Sequence, residues 1–116
     1  MKYSEEQLIQ IAHNNPQELI KIINSSHNSI KVLTDALEIL GGEVDDDSIV
    51  LPVLQKLLRN INVSIRESAL IGISSFYGAK TKPLSSEVSE KLLDLSTNDP
   101  SALLRDFAKD LLLKHK

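Results

Sequence analysis

Cysteine is absent from the 116 residues, and aromatic side chains are limited to Tyr3, Phe76, Tyr77 and Phe107. The first absence excludes disulfides, thiolate metal sites and cysteine nucleophiles. The second means that any core is aliphatic, built from Leu, Ile and Val as in stacked helices. Long apolar runs are also missing: nothing approaches the roughly 18 residues that a membrane span requires. The N-terminal MKYSEEQL lacks the charged-then-apolar layout of a signal peptide. These absences lead us to expect a cytoplasmic protein with no membrane segment. Positive charge is short as well. Thirteen Lys and Arg stand against sixteen Asp and Glu, giving a net charge of −3 and a pI near 5.5. A general nucleic-acid binder needs a surplus of cations to neutralise phosphates, so this balance argues against one.

Catalytic patterns are equally scarce. His13, His27 and His115 are far apart and show no spacing that would place two on one helix face. No serine sits in a Gly-x-Ser-x-Gly elbow, and no strand-turn-helix context exists for one. Gly41-Gly42, Gly72 and Gly78 lack the spacing and the Lys of a phosphate-cradling loop. Gly72 reads more simply as a close-packing position. Paired carboxylates at Glu5-Glu6 and Asp45 to Asp47 read as solvated caps rather than a dyad. The expectation is no enzyme, no cofactor and no metal.

Composition is ordinary for a folded chain, with 41% hydrophobic and 25% charged residues, which argues against disorder. Ser4 with Gln7 forms a capping-box pattern before Leu8, Ile11 and Ala12, and this first helix ends near Asn14-Asn15. Pro16 suits the first turn of a second helix that buries Leu19, Ile22 and Ile23 and stops at Asn24-Ser25-Ser26. A third helix runs from about Asn28 to Leu40, with Gly41-Gly42 read as its left-handed C-cap. In EVDDDS, Glu43 to Ser48, the acidic residues serve either as a metal or partner patch or, by the simpler reading, as caps for the fourth helix. That helix is expected over Ile49 to Arg59 with Pro52 near its start. Helices over Val63 to Tyr77, Ser86 to Leu95 and Ser101 to nearly the end complete the set. No segment alternates as a strand would.

Three helix pairs emerge, and Ala36, Ala69 and Ala108 recur at spacings of 33 and 39 residues, within the range of helical solenoids. A small residue at that place lets the second helix of a pair approach the first. LPVLQKLLRN-INVSIRESALIGI has a Leu-rich helix, a short polar turn, and then apolar-Arg-x-x-Ala-x-x-x-apolar. NDPSALLRDFAKDLL repeats it, with Arg105 in the Arg66 position; the first pair departs from it at Leu33. These segments resemble the HEAT and armadillo repeat family. The resemblance implies an all-α fold: a right-handed α-α superhelix of three helix pairs plus an N-terminal helix, one repeat domain over residues 1–116. A closed helical bundle is the alternative arrangement. The family has no single activity; its common role is to present surfaces to other proteins. It also implies that Arg66 and Arg105 pair with an acidic or carbonyl group of a neighbouring repeat rather than with a bound anion.

In such stacks the second helices line the concave side. Positions two before and two after each alanine lie about 160° away on the wheel. They form two rows, Thr34, Glu67 and Asp106, then Glu38, Ile71 and Asp110. The result is an acidic ridge with an apolar island at Ile71, suited to a basic protein partner or else an ordinary solvated face. The leading expectation is a non-catalytic protein-binding module, in a more specific version an immunity protein that neutralises a basic toxin. The alternatives are a nucleic-acid-binding HEAT-like protein, for which Lys80, Lys82 and the Lys114-His115-Lys116 tail are the available cations, and a subunit or fragment of a larger helical scaffold.

Overall fold

A computed structural model of the chain describes residues 3–78 and 83–115. Lys80, Lys82 and Lys116, three of the cations considered for nucleic-acid binding, lie outside them. Among the described residues the fold is all-α: seven helices and no strand. They are α1 (Glu5–Asn14), α2 (Pro16–Asn24), α3 (Ile30–Glu43), α4 (Asp47–Leu57), α5 (Val63–Gly78), α6 (Ser86–Asn98) and α7 (Ala102–Lys114). None of the helices is long and apolar enough to cross a membrane, over the described residues.

Short polar side chains set the starts. The Ser4 hydroxyl accepts from the Gln7 amide at 3.2 Å while the Gln7 side chain accepts from the Ser4 amide at 2.8 Å, closing the capping box of α1. Ser29, Ser85 and Ser101 each accept from the backbone amide three residues on, at 3.2, 3.2 and 3.3 Å. A cap of this kind is typically worth about 1 kcal/mol. Pro16 occupies the first turn of α2.

Several boundaries differ from the sequence reading: α3 starts at Ile30, α4 stops at Leu57 and α6 runs on to Asn98, and two further differences have a visible cause. Gly41-Gly42 does not end α3, which continues to Glu43, and no described glycine has positive φ. Gly41 is instead buried where α3 meets α5: a Cβ on it would overlap the backbone of Gly72. α4 starts two residues earlier than expected, at Asp47, because Asp46 provides the cap, and Pro52 therefore falls inside the helix. Pro52 and Ser48 are both exposed, so the Ser48 carbonyl deprived of its helical partner lies on the solvent side.

The chain groups into two compact units, Met1–Phe76 and Tyr77–Lys116. In the first, α1 packs on α2 and α3, α2 packs on α3 and α4, and α3 packs on α4. Leu8, Leu19, Leu37, Leu40, Leu54, Leu70 and Ile73 are fully enclosed. Gly72, expected to be a close-packing position, lies against the Leu37 carbonyl and the Leu54 methyls as well as against Gly41. Ser68 on α5 donates to Glu38 on α3 at 2.8 Å. Residue numbers rise together along both helices from Glu38–Ser68 to Gly41–Gly72, so α3 and α5 run in the same direction. The second unit is the hairpin of α6 and α7, closed by Val88, Leu92 and Leu95 on one helix and Leu104, Ala108 and Leu111 on the other. Tyr77 is buried, accepts a long hydrogen bond from the Ser85 amide at 3.4 Å, and meets the His115 ring at a centroid distance of 5.8 Å.

Candidate functional site

The six ridge positions have three different environments. On α7, Asp106 and Asp110 are exposed, as the wheel placed them. On α5, Glu67 and Ile71 point away from buried Ala69 but are half-buried. On α3, Thr34 and Glu38 are half-buried and engaged: the Thr34 hydroxyl donates to the Lys31 carbonyl at 3.1 Å, and Glu38 accepts from Ser68. The α3 pair departs from the wheel because Ala36 is not at the centre of the buried arc. Val32, Ala36, Leu37, Leu40 and Gly41 are all buried and cover roughly half the circumference. Glu38 therefore sits just past the edge of that arc, on the side facing α5. Thr34, Glu38, Glu67 and Ile71 belong to the first compact unit, and Asp106 and Asp110 to the second.

Glu38 also belongs to a feature that the ridge pattern does not reveal. Between α1 and α3 runs a groove of about 210 Å³ lined by Glu5, Ile9, Asp35, Glu38, Ile39, Gly42 and Glu43. Four carboxylates and two isoleucines thus share one lining. Helical geometry explains the gathering: Asp35, Glu38, Ile39 and Gly42 follow at i, i+3, i+4 and i+7 along one stripe of α3. Glu5 and Ile9 are similarly stacked one turn apart on α1. The sequence carried this signal, but the match between stripes on two helices is a tertiary fact. Glu5 alone reads as a first-turn cap.

The groove already engages basic side chains of the chain itself. The Lys31 ammonium lies 2.9 Å from Asp35, one turn away on the same helix. That hydrogen bond, then the attraction of Asp35, and more weakly that of Glu5 and Glu38, raise the Lys31 pKa above its usual value. At the other end His13 Nε2 meets Glu43 at 2.8 Å, joining α1 to α3. Among the described residues, no three His, Asp or Glu side chains converge as metal ligands. Four carboxylates and two isoleucines lining one groove fit an ammonium or guanidinium on an aliphatic stem. A larger hollow of about 290 Å³ between α1 and α2 is lined mainly by amides and has Glu18 as its single carboxylate. It offers no comparable charge selectivity.

The acidic EVDDDS segment contributes a cap. Asp46 accepts from the Ser48 hydroxyl at 2.7 Å and the Ser48 amide at 3.0 Å, and these bonds hold its carboxyl below the usual range.

The two arginines act on the turns before their own helices. Arg66 Nη1 donates to the carbonyls of Asn60 and Ile61 at 2.9 and 3.1 Å, and Arg105 Nη1 donates to the Asp99 carbonyl at 2.6 Å. Both reach back six residues. The remainder of each turn matches too. Asn60 and Asp99 each accept from the amide two residues on, at 2.8 and 2.9 Å, while Asn62 and Ser101 cap the following helix. The first pair has Leu33 in the arginine position, and its turn is tied instead by the Asn28 side chain donating to the Ile22 carbonyl at 2.9 Å.

Comparison with protein-family models, with curated proteins and with solved structures found no match to this chain.

Proposed function

We propose that this chain is a non-catalytic module that docks a basic protein partner, with the α1–α3 groove as the seat for a Lys or Arg side chain. The carrying observation is that Glu5, Asp35, Glu38 and Glu43 line one groove together with Ile9 and Ile39. The isoleucines accept the methylene stem and the carboxylates accept the charged head. Such a site steers a cation by long-range attraction and holds it by local contact. The partner we favour is a basic toxin, a nuclease for example, whose cationic substrate-binding surface the module would cover as an immunity protein; the chain's net charge of −3 is of the right sign. For architecture we propose HEAT-like helix pairs in a right-handed superhelix preceded by α1. The matched turns at Asn60–Arg66 and Asp99–Arg105, and the parallel course of α3 and α5, support that arrangement.

The test is titration against a panel of basic nucleases at low and at 0.5 M salt, about the range over which surface charges become fully screened. Saturable binding that weakens with salt and is lost in Glu38→Lys and Asp35→Lys supports the reading. Binding unaffected by both substitutions would remove the groove from the account. A panel without a single binder would remove the toxin partner.

A further inference from the structure

The outer face of α7 is a second surface, independent of the groove and outside the docking function proposed for it. Leu103, Asp106, Asp110 and Leu113 follow at steps of three, four and three residues. They lie within about 40° of the line opposite Ala108. Ala108 is fully buried with Leu104 and Leu111 beside it, whereas Leu103 and Leu113 are 67% and 65% exposed. Asp106 and Asp110 are exposed, and neither forms an ion pair among the described residues. Lys109 and Lys114, also exposed, flank the face on opposite sides.

This arrangement is specific in two respects. The three-four-three step is the spacing at which one helix meets another along a seam. Within it, two leucines bracket two carboxylates, which is the reverse of a surface helix whose apolar residues all face inward. A second copy of this chain is a poor occupant, because either orientation would oppose aspartates to aspartates. We propose that this face docks an amphipathic helix of another protein carrying apolar, basic, basic and apolar residues at the same steps. The leucines anchor its two ends, and the aspartates select its Lys or Arg pair. The flanking Lys109 and Lys114 favour acidic residues at the rims of that helix and disfavour one that is basic all round.

The probe is a synthetic helical peptide with the pattern Leu-x-x-Lys-x-x-x-Lys-x-x-Leu, Glu at the rim positions and Ala or Gln elsewhere, titrated into the full chain by fluorescence anisotropy. The expected result is saturable binding that Asp106→Lys/Asp110→Lys weakens by at least about tenfold. Both sites are exposed, and circular dichroism checks that the variant remains as helical as the parent. The peptide with Glu in place of both Lys should bind the reversed chain and not the parent. Glu38→Lys, in the groove, should leave peptide affinity unchanged. No saturation at millimolar peptide, equal affinity for parent and reversed chain, or loss in Glu38→Lys would each overturn the proposal.

Discussion

Adjacent glycines in α3 should respond to the same substitution with opposite signs. Gly41 lies where α3 and α5 touch, and a Cβ there would overlap the carbonyl, carbonyl carbon and Cα of Gly72. These are backbone atoms, so no rotamer change relieves the overlap and the helices must separate. Overpacking of this kind costs about 1–3 kcal/mol, and the upper end applies when backbone meets backbone. Alanine recovers about 1 kcal/mol of helix propensity, leaving Gly41→Ala destabilised by about 2 kcal/mol. At Gly42 the nearest atom to a new Cβ is the Ser75 Cβ, 3.9 Å away, an ordinary contact. Gly42→Ala should therefore gain about 0.5–1 kcal/mol, mostly through lower entropy of the unfolded chain. Gly72→Ala is intermediate in kind: its Cβ would come within 2.8 Å of the Leu37 carbonyl, but the Leu54 methyls at 3.0 and 3.2 Å can turn away. Urea denaturation followed at 222 nm separates the three, and thermal midpoints should move by about 4 °C per kcal/mol in a chain of this size. A Gly41→Ala midpoint at or above that of the parent would refute the close crossing of α3 and α5.

The other expectations are smaller. Arg105→Ala and Arg66→Ala should each lower stability by about 1–2 kcal/mol, since each removes a charge-assisted bond to a turn carbonyl; an unchanged melting temperature with lost partner binding would reassign the arginines to recognition. The depressed Asp46 pKa contributes stability that is complete above the unfolded value of 3.8 and is lost as pH falls through the lower folded value. Asp46→Ala should flatten that part of an acid-denaturation curve, and a curve with the parent's slope would contradict the cap. Lys31 has the opposite sign: its stabilising pair with Asp35 is present below 10.5 and lost as pH rises through the raised folded value. Asp35→Asn should remove that alkaline dependence, which titration of the Lys31 signal would reveal.

The helices were readable from the sequence because their signals are local. Ser4 with Gln7, Pro16 and the serine caps act within one turn, and the structure places the starts of α1, α2, α5 and α6 where the sequence does. Gly41-Gly42 misled because glycine has two unrelated uses. It ends helices through positive φ, and it also lets another backbone come close. Only the position of α5 decides between them. Asp106 and Asp110 were readable because the buried arc of α7, made by Leu104, Ala108 and Leu111, is only about 60° wide, so positions about 160° from Ala108 stay clear of it. Thr34 and Glu38 were not, because α3 is covered on several sides and its buried arc is wide. The groove depends on the stripe Glu5–Ile9 on α1 meeting the stripe Asp35 to Glu43 on α3, and no periodicity within either helix reports that meeting.

The central claim is that a cation-seeking groove between α1 and α3 docks a basic protein. The measurement that tests it most directly is affinity capture of partners by the parent chain and by Glu5→Lys/Glu38→Lys, with the two shown equally helical by circular dichroism. The account predicts a basic partner held by the parent, released by salt and absent from the variant. The same partner retained equally by both would contradict it.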